Sequence, residues 1–181
     1  PRGGGRHLAK QRPVKADIVI GVPESGIDAA IGYAEESGIP YAKGIVKNSY
    51  IGRTFIKPDQ SQRTNAVRLK LNALESIVKG RRVVMLDDSI VRGTTMHRIV
   101  NMLREAGASE VHVRISSPAF RNPCFYGVDI PSKDDLIANQ HTVDEIAELI
   151  EADSLDFLDL DAIVKLTCGK KLPLCTACFD G

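Results

Sequence analysis

The stretch Arg82–Thr95 constrains the fold more than any other part of the chain. Within it, Val83–Leu86 is a short, unbroken apolar run, which is typical of a strand buried on both faces of a parallel sheet. Two acidic residues and a loop of small and polar residues follow, and Met96 then opens an apolar series with helical spacing. The stretch therefore predicts a strand, a tight loop and a helix that begins near Thr95 and closes at Gly107.

The loop between this strand and helix is suited to bind a phosphate group. Free backbone N–H groups attract an anion, and the helix dipole contributes about 0.3–1 kcal/mol at a surface site. Gly93 allows close backbone approach, whereas Asp87 and Asp88 cannot bind that phosphate and must face ribose hydroxyls or a divalent cation. The predicted ligand is therefore a sugar phosphate. The candidate hydroxyl donors are Ser89, Thr94 and Thr95.

Two common phosphate loops are excluded. The chain contains no G-x-x-x-x-G-K-[ST] motif and no G-x-G-x-x-G after a strand, which argues against a P-loop NTPase and a dinucleotide-binding Rossmann site. The order of apolar residues, two acids and a small loop ending in Gly-Thr-Thr resembles the phosphoribosyl pyrophosphate (PRPP) motif of type I phosphoribosyltransferases. The alternative is an ordinary turn between strand and helix that happens to be acidic.

Composition limits the other functional classes. The 181 residues, 43% hydrophobic and 26% charged, fit one α/β domain, and a net charge of +1 indicates neither a nucleic-acid nor an anionic-membrane partner. We find no run long enough for a membrane helix and no signal-peptide core. Four cysteines are too few for a disulfide scaffold, and their spacing favours metal binding in a reducing, cytosolic compartment.

A second strand, loop and helix precede the first. Asp17–Val22 predicts a buried strand, and Pro23–Gly26 leads into a helix that ends at Gly38. Because ligands of open α/β sheets bind beyond the carboxyl ends of strands, we expect this loop and the Asp87 loop to face one pocket. The predicted buried face of the helix is Ile27, Ala30, Ile31 and Ala34.

Other segments give weaker predictions. We expect Pro1–Lys10 to be a frayed or linking terminus, Tyr41–Val46 and Val111–Ile115 to be strands, and Asp156–Leu166 to be a last short helix. The four histidines share no metal-like spacing and are expected on surfaces or helix faces. The predicted organisation is an N-terminal segment (1–16) continuing from an upstream region, a core (17–140), and a helical, cysteine-bearing extension (141–181) of the same structural unit.

The stretch Lys47–Ile56 combines cations, an aromatic residue and a glycine without a helical period. Such a loop could close over a ligand, with Lys47 and Arg53 each donating charge-assisted hydrogen bonds worth about 1.5–3 kcal/mol to a pyrophosphate. Composition alone favours the alternative, a solvated basic loop.

Several segments together resemble the glutamine PRPP amidotransferases, which perform the first committed step of purine synthesis, and the resemblance covers essentially the whole chain. It implies a type I phosphoribosyltransferase fold, with a mostly parallel central sheet flanked by helices. It also implies that ammonia displaces pyrophosphate from PRPP to give 5-phosphoribosylamine, and that the basic loop is a flap over the substrate. The segments are Val22–Gly26, Gly38–Tyr41, Lys47–Ile56, Val67–Asn72 and Tyr126–Pro131.

The resemblance implies roles for individual residues. Asp87 and Asp88 become catalytic carboxylates, and together with Ser25 they become the Mg²⁺ and ribose positions. Lys47 and Arg53 become catalytic flap cations. The implied substrate-binding residues are Ser25, Gly26, Tyr50, Thr54, Ser89, Ile90, Val91, Arg92, Gly93, Thr94 and Thr95. One departure is Glu24, where the family often has Asp.

The cysteines complete the resemblance. Cys124, Cys175 and Cys178 match ligands of a [4Fe–4S] cluster in family members that contain one, and the fourth family ligand lies upstream of Pro1. Cys168 is a possible substitute, and metal-free thiols are the alternative. We therefore expect an incomplete ligand set that holds a cluster poorly.

The implied partners are PRPP and ammonia, with purine nucleotides as feedback inhibitors and a homotetrameric assembly. No segment corresponds to the family's glutaminase domain, so we expect ammonia-dependent synthesis at best. Two alternatives stay open: a regulatory module that senses PRPP without chemistry, and a non-catalytic nucleotide-binding fragment.

Overall fold

The computed structural model describes residues 1–47, 71–124, 132–167 and 174–181. The strands within these ranges are β1 (Ile18–Gly21), β2 (Ile45–Lys47), β3 (Leu71–Ala73), β4 (Arg82–Asp87), β5 (Glu110–Ile115) and β6 (Ser154–Phe157). The helices are α1 (Arg2–Gln11), α2 (Ile27–Ser37), α3 (Glu75–Val78), α4 (Thr94–Glu105), α5 (Ile137–Gln140), α6 (Val143–Leu149), α7 (Leu160–Thr167) and α8 (Ala177–Asp180), with a 3₁₀ turn at Lys133–Asp135. No helix of these ranges is both long and apolar enough to cross a bilayer.

The central sheet is entirely parallel, with the strand order β1-β4-β5-β6. Its inner strand β4 is buried from Val83 to Asp87, as the unbroken apolar run predicts. Helix α4 covers one face of the sheet with the four apolar residues of the predicted stripe. The mostly parallel α/β fold expected from the sequence is therefore confirmed. The stripe consists of Met96, Ile99, Val100 and Leu103.

The expectation of a frayed N-terminus is wrong. Residues Arg2–Gln11 form α1, which buries Leu8 and packs along α2 on the other face of the sheet. Glycine permits this close crossing, because a Cβ atom at Gly5 would overlap the carbonyl oxygen of Ala29. A glycine-rich stretch that looks unstructured locally is helical here because its missing side chains let two helices touch.

This crossing also shifts the buried face of α2. The buried residues are Ala29, Ala30, Gly32 and Tyr33, rather than the four predicted. Of the predicted face, only Ala30 is buried, because α1 covers the small-residue side of the helix. The predicted helix end at Gly38 is confirmed, with a left-handed φ of 74°.

Two predicted elements also need correction. Tyr41 forms only an isolated bridge to Val19, and β2 pairs antiparallel with β3 in a separate two-stranded sheet. The predicted helix Asp156–Leu166 instead begins as the parallel edge strand β6, and α7 starts at Leu160. The C-terminal extension therefore supplies a strand of the central sheet as well as helices.

The alternating strand β5 has no solvated face. His112 and Arg114 are 8% and 3% exposed, so the expectation that every histidine lies on a surface or helix face fails for His112. A polar layer compensates for their burial: His112 Nδ1 lies 2.9 Å from Ser154 Oγ, and Arg114 Nη2 lies 3.3 Å from the Asp156 carboxylate.

Candidate functional site

The carboxyl ends of β1 and β4 bring two loops together. The Val22 amide donates to the Leu86 carbonyl oxygen at 2.9 Å, and the Ser25 hydroxyl donates to Asp87 Oδ1 at 3.2 Å. Gly26 makes this approach possible, because a Cβ atom there would overlap the Leu86 carbonyl oxygen. The structure therefore brings the two loops into contact, and a pocket shared by both stays a prediction.

The two acidic residues occupy different environments. Asp87 is 8% exposed and accepts a hydrogen bond from the Asp88 amide at 2.8 Å, whereas the Asp88 side chain is exposed. Burial raises the pKa of Asp87 from its ordinary 3.8 to about 7, and the negative charge of Asp88 adds to that effect. The hydrogen bonds from the Asp88 amide and the Ser25 hydroxyl favour the ionised carboxylate. They therefore lower the pKa and partly offset the effect of burial. A cation bound beside this buried carboxylate would stabilise its ionised form.

A cavity of about 500 Å³ lies along the next ten residues, from Asp87 to Met96. Gly93 has a φ of 78° and α4 begins at Thr94, one residue earlier than predicted. Within the described part of the chain, the backbone amides of Ser89 through Met96 have no acceptor. A row of amides at the start of a twelve-residue helix is an arrangement that suits an anion.

The side chains of the loop Ser89–Thr95 differ in their burial and in their contacts. Ile90 is 4% exposed and belongs to the hydrophobic core, so only its backbone faces the cavity side. The Arg92 guanidinium lies 3.1 Å from the Asp135 carboxylate. Thr94 and Thr95 are exposed, and Ser89 and Val91 are half-buried. The hydroxyl groups and backbone amides are thus the donors that a ligand would meet.

The first residue of the predicted flap lies near the Ser25 loop. Lys47 ends β2, and its Nζ lies 3.7 Å from Glu24 Oε1. Both side chains are at least half exposed, so the pair is weak and easily rearranged by an anionic ligand. Tyr50, Arg53 and Thr54 lie outside the described residues, so their placement stays a prediction.

The sequence did not predict that the segment Lys133–His141 contacts the loop Ser89–Thr95. Ile137 donates its backbone N–H to the Val91 carbonyl oxygen at 2.9 Å, and Asp135 pairs with Arg92. The acidic pair Asp134-Asp135 is the one local signal, and such a pair is more often simply solvated. Forty residues separate it from the loop, so no local pattern could reveal the contact.

The oxygen atoms of the site suit Mg²⁺. This ion usually binds through one or two carboxylates together with substrate phosphates rather than in a cage made of protein alone. Asp87, Asp88 and the Ser25 hydroxyl offer that partial set. The part of the chain described here has no group of three or more His, Cys, Asp or Glu residues arranged to hold a metal ion.

The cysteines converge without forming such a group. Cys124 and Cys175 act electrostatically on Cys178, whose thiol pKa is raised first by burial. The Cys178 carbonyl oxygen accepts hydrogen bonds from the amides of Arg121 and Asn122 at 3.0 and 3.1 Å, which fixes the two segments together. Cys168 lies outside the described residues. The thiols are thus neighbours, but the described chain does not arrange them as a metal centre.

Comparison with known proteins agrees with this geometry. A family model described as a phosphoribosyl transferase domain matches residues 5–121. The amidophosphoribosyltransferase of Synechocystis sp. is 56% identical over 177 residues, which are 98% of this chain and 36% of that protein. The amidophosphoribosyltransferase of Bacillus subtilis is 54% identical, with 98% of this chain and 38% of that protein covered. The chain thus spans little more than a third of the length of these relatives.

A solved structure shows the same fold. It is a glutamine PRPP amidotransferase from B. subtilis complexed with ADP and GMP, and it superimposes with a TM-score of 0.86 at 54% identity. The match covers 98% of this chain and 40% of that one. The resemblance to glutamine PRPP amidotransferases that the sequence motifs carry is confirmed by these relatives. Since the family model matches more than half of the residues, including both loops of the site, the chain belongs to the phosphoribosyl transferase domain family.

Proposed function

We propose that this chain binds PRPP and catalyses its reaction with ammonia to give 5-phosphoribosylamine and pyrophosphate, the first step of purine synthesis. The observation that carries the proposal is the hydrogen bond from Ser25 to Asp87, which joins the pyrophosphate loop to the acidic pair, beside a row of amides that have no acceptor among the described residues. The names of the curated relatives support the same reaction.

The reaction is a displacement at C1 of the ribose. The C1–O bond to pyrophosphate breaks, the ammonia nitrogen forms a bond to C1, and a proton leaves the new C–N group. Asp87 and Asp88 stabilise the oxocarbenium-like sugar by their negative charge and accept hydrogen bonds from ribose hydroxyls. The amides of Ser89 through Thr95 hold the 5′-phosphate at the other end of the sugar.

The leaving pyrophosphate needs positive charge. Lys47 lies near the loop of Glu24 and Ser25 and supplies one cation, with Arg53, Tyr50 and Thr54 of the flap covering the substrate and excluding water. Mg²⁺, when bound by the Ser25, Asp87 and Asp88 oxygens and the substrate, neutralises charge on the pyrophosphate.

The proposal extends to partners. The B. subtilis relative was solved with ADP and GMP, and purine nucleotides carry the same ribose 5-phosphate that this loop suits. We include purine nucleotides as feedback inhibitors and a homotetramer as the assembly. We also include a cytoplasmic location, since four cysteines whose spacing favours metal binding over a disulfide scaffold are typical of a reducing compartment.

The iron–sulfur cluster forms a separate part of the proposal. Cys124, Cys175 and Cys178 are neighbours, which supports a [4Fe–4S] site, and an incomplete set predicts weak retention. Iron and acid-labile sulfide measured after anaerobic purification should be well below one cluster per chain. A stable, stoichiometric cluster would show that the ligand set is complete.

The competing function is a PRPP-binding regulatory module without turnover. Lys47 beside the pyrophosphate loop favours the enzyme, since a pure sensor has no leaving group to stabilise.

One experiment separates these functions. Calorimetry with Mg²⁺ and PRPP measures binding, and pyrophosphate release in the presence of ammonia measures turnover. An enzyme gives both, a sensor gives heat alone, and a chain that gives neither has a different function. Asp87→Asn should lower the turnover on the order of 10³-fold while leaving a folded protein.

A further inference from the structure

The segment Lys133–His141 supports the phosphate loop from its outer side. The Ile137 amide donates to the Val91 carbonyl oxygen at 2.9 Å, and Arg92 Nε donates to Asp135 Oδ1 at 3.1 Å. These contacts act on two successive residues in the middle of the loop. They fix both the backbone of the loop and the direction of its charged side chain.

Arg92, Gly93 and Thr94 line two cavities, which we call the inner and the outer cavity. The inner cavity, about 500 Å³, is lined by the loop and the acidic pair. A second cavity of about 460 Å³ lies on the outer side, where Arg92 and Gly93 meet Asp135 and Ile137. A Cβ atom at Gly93 would lie only 2.8 Å from Ile137 Cδ1, so the outer segment also packs against the glycine.

The outer segment is itself anchored. Leu136 is fully buried, and the Asn139 side-chain amide donates to the Arg121 carbonyl oxygen at 2.8 Å. The Arg121 guanidinium in turn donates to the Ala138 carbonyl oxygen at 3.3 Å. A rigidly attached segment can therefore restrict a loop whose inner amides have no acceptor within the described chain.

We propose that Asp135 is a positioning residue for substrate binding in this enzyme, an inference that rests on the proposed function. By holding the Arg92 guanidinium on the outer face, Asp135 keeps the loop amides in the conformation that receives the 5′-phosphate. Released from this pair, the Arg92 side chain samples many rotamers and the loop loses a constraint that PRPP binding must then restore. Asp135 touches neither the substrate nor the reacting atoms.

The test compares three variants of the 181-residue chain. Asp135→Asn removes the charge, Asp135→Glu restores it one methylene further out, and Asp134→Asn is the matched control. Asp134 is the exposed neighbour in the same turn, and its carbonyl oxygen, rather than its side chain, accepts a hydrogen bond from Gln140. For each protein, the Kd for PRPP with Mg²⁺, the KM for PRPP and kcat are measured well below the unfolding temperature.

We expect Asp135→Asn to raise Kd and KM about two- to fivefold, with kcat changed less than about twofold. Asp135→Glu should recover most of the affinity, and Asp134→Asn should match the parent. Equal Kd values for Asp135→Asn and Asp134→Asn, or a loss confined to kcat, would overturn the proposal.

PRPP binding by the parent protein tests the proposed function independently of the positioning role. If the parent binds PRPP and the Asp135→Asn variant has the same Kd as the parent, the positioning role fails while the function stands. If the parent gives no heat with PRPP, the function fails and the inference fails with it.

Discussion

The two ends of β4 hold the same residue type in opposite states. At the amino end, Asp17 accepts hydrogen bonds from the Arg82 amide and guanidinium at 2.8 and 2.9 Å, which lowers the pKa of Asp17 to about 2. At the carboxyl end, Asp87 has no cation beside it within the described chain, and burial raises its pKa to about 7. The amino end uses its carboxylate to hold strands together, whereas the carboxyl end keeps one uncompensated for a ligand.

The largest expected difference between the two ends is in catalysis. Asp87→Asn should lower kcat/KM for PRPP on the order of 10³-fold, since it removes a buried negative charge at the developing cation. Asp17→Asn should change it less than about twofold. Pyrophosphate release with ammonia measures both. An Asp87→Asn variant with parental activity would show that the buried carboxylate is not part of the chemistry.

The pH dependence of stability should also separate the two ends. Between about pH 4 and pH 7 the native state retains a proton on Asp87 that the unfolded state loses, so the free energy of unfolding falls as pH rises. The slope is at most about 1.4 kcal/mol per pH unit. Asp17 acts in the other direction, because its contribution is present above about pH 4 and is lost as pH falls toward 2.

Denaturant titrations at several pH values measure these slopes. Asp87→Asn should flatten the profile between pH 4 and pH 7, and Asp17→Asn should flatten only the acid limb. An unchanged profile in Asp87→Asn would mean that Asp87 titrates normally in the folded protein.

The next largest effect is expected from the close packing at the carboxyl end of β4. Gly26→Ala should destabilise the protein by about 1–3 kcal/mol, since the new methyl group meets the Leu86 carbonyl oxygen, and it should weaken PRPP binding by displacing Ser25. Gly4→Ala is the matched control, because its nearest neighbour is the Leu158 Cδ2 methyl at 3.3 Å, which can shift. Equal stabilities for the two variants would show that the site loop has room to move.

The smallest effect is expected at the amino end itself. Asp17→Asn breaks an ion pair whose two side chains are each 40% exposed, so thermal unfolding should shift only slightly and Kd for PRPP should stay constant. A large loss of PRPP affinity in this variant would mean that the two ends of β4 are coupled.

The region around β4 could be predicted because its signals are local. Val83–Leu86 has the composition of a buried parallel strand, and the apolar spacing from Met96 defines the covering helix. The phosphate loop follows from both, since a loop between them must sit at the carboxyl edge of the sheet. The acidic pair Asp87-Asp88 followed from its place after a buried strand, whereas the role of Ser25 came from motif resemblance. The structure brings Ser25 to Asp87.

The regions that could not be predicted depend on partners far along the chain. Considered alone, the glycines of α1 indicate a flexible terminus, because their contact with α2 exists only in the folded chain. The sequence of β6 alone likewise indicates the start of a helix, whereas its pairing with β5 makes it a strand. The only local signal for the Asp135–Arg92 pair is the acidic dipeptide Asp134-Asp135, which is uninformative because surface acids and arginines are common and only the folded path makes these two residues neighbours.

The sequence by itself determined the strand–loop–helix that builds the phosphate site, because hydrophobic period and turn chemistry act over a few residues. The tertiary structure alone decided which carboxylate is buried, which glycines carry a helix crossing and which outer segment supports the loop. Those properties arise from burial and from contacts across tens of residues, and chain topology rather than local preference fixes them.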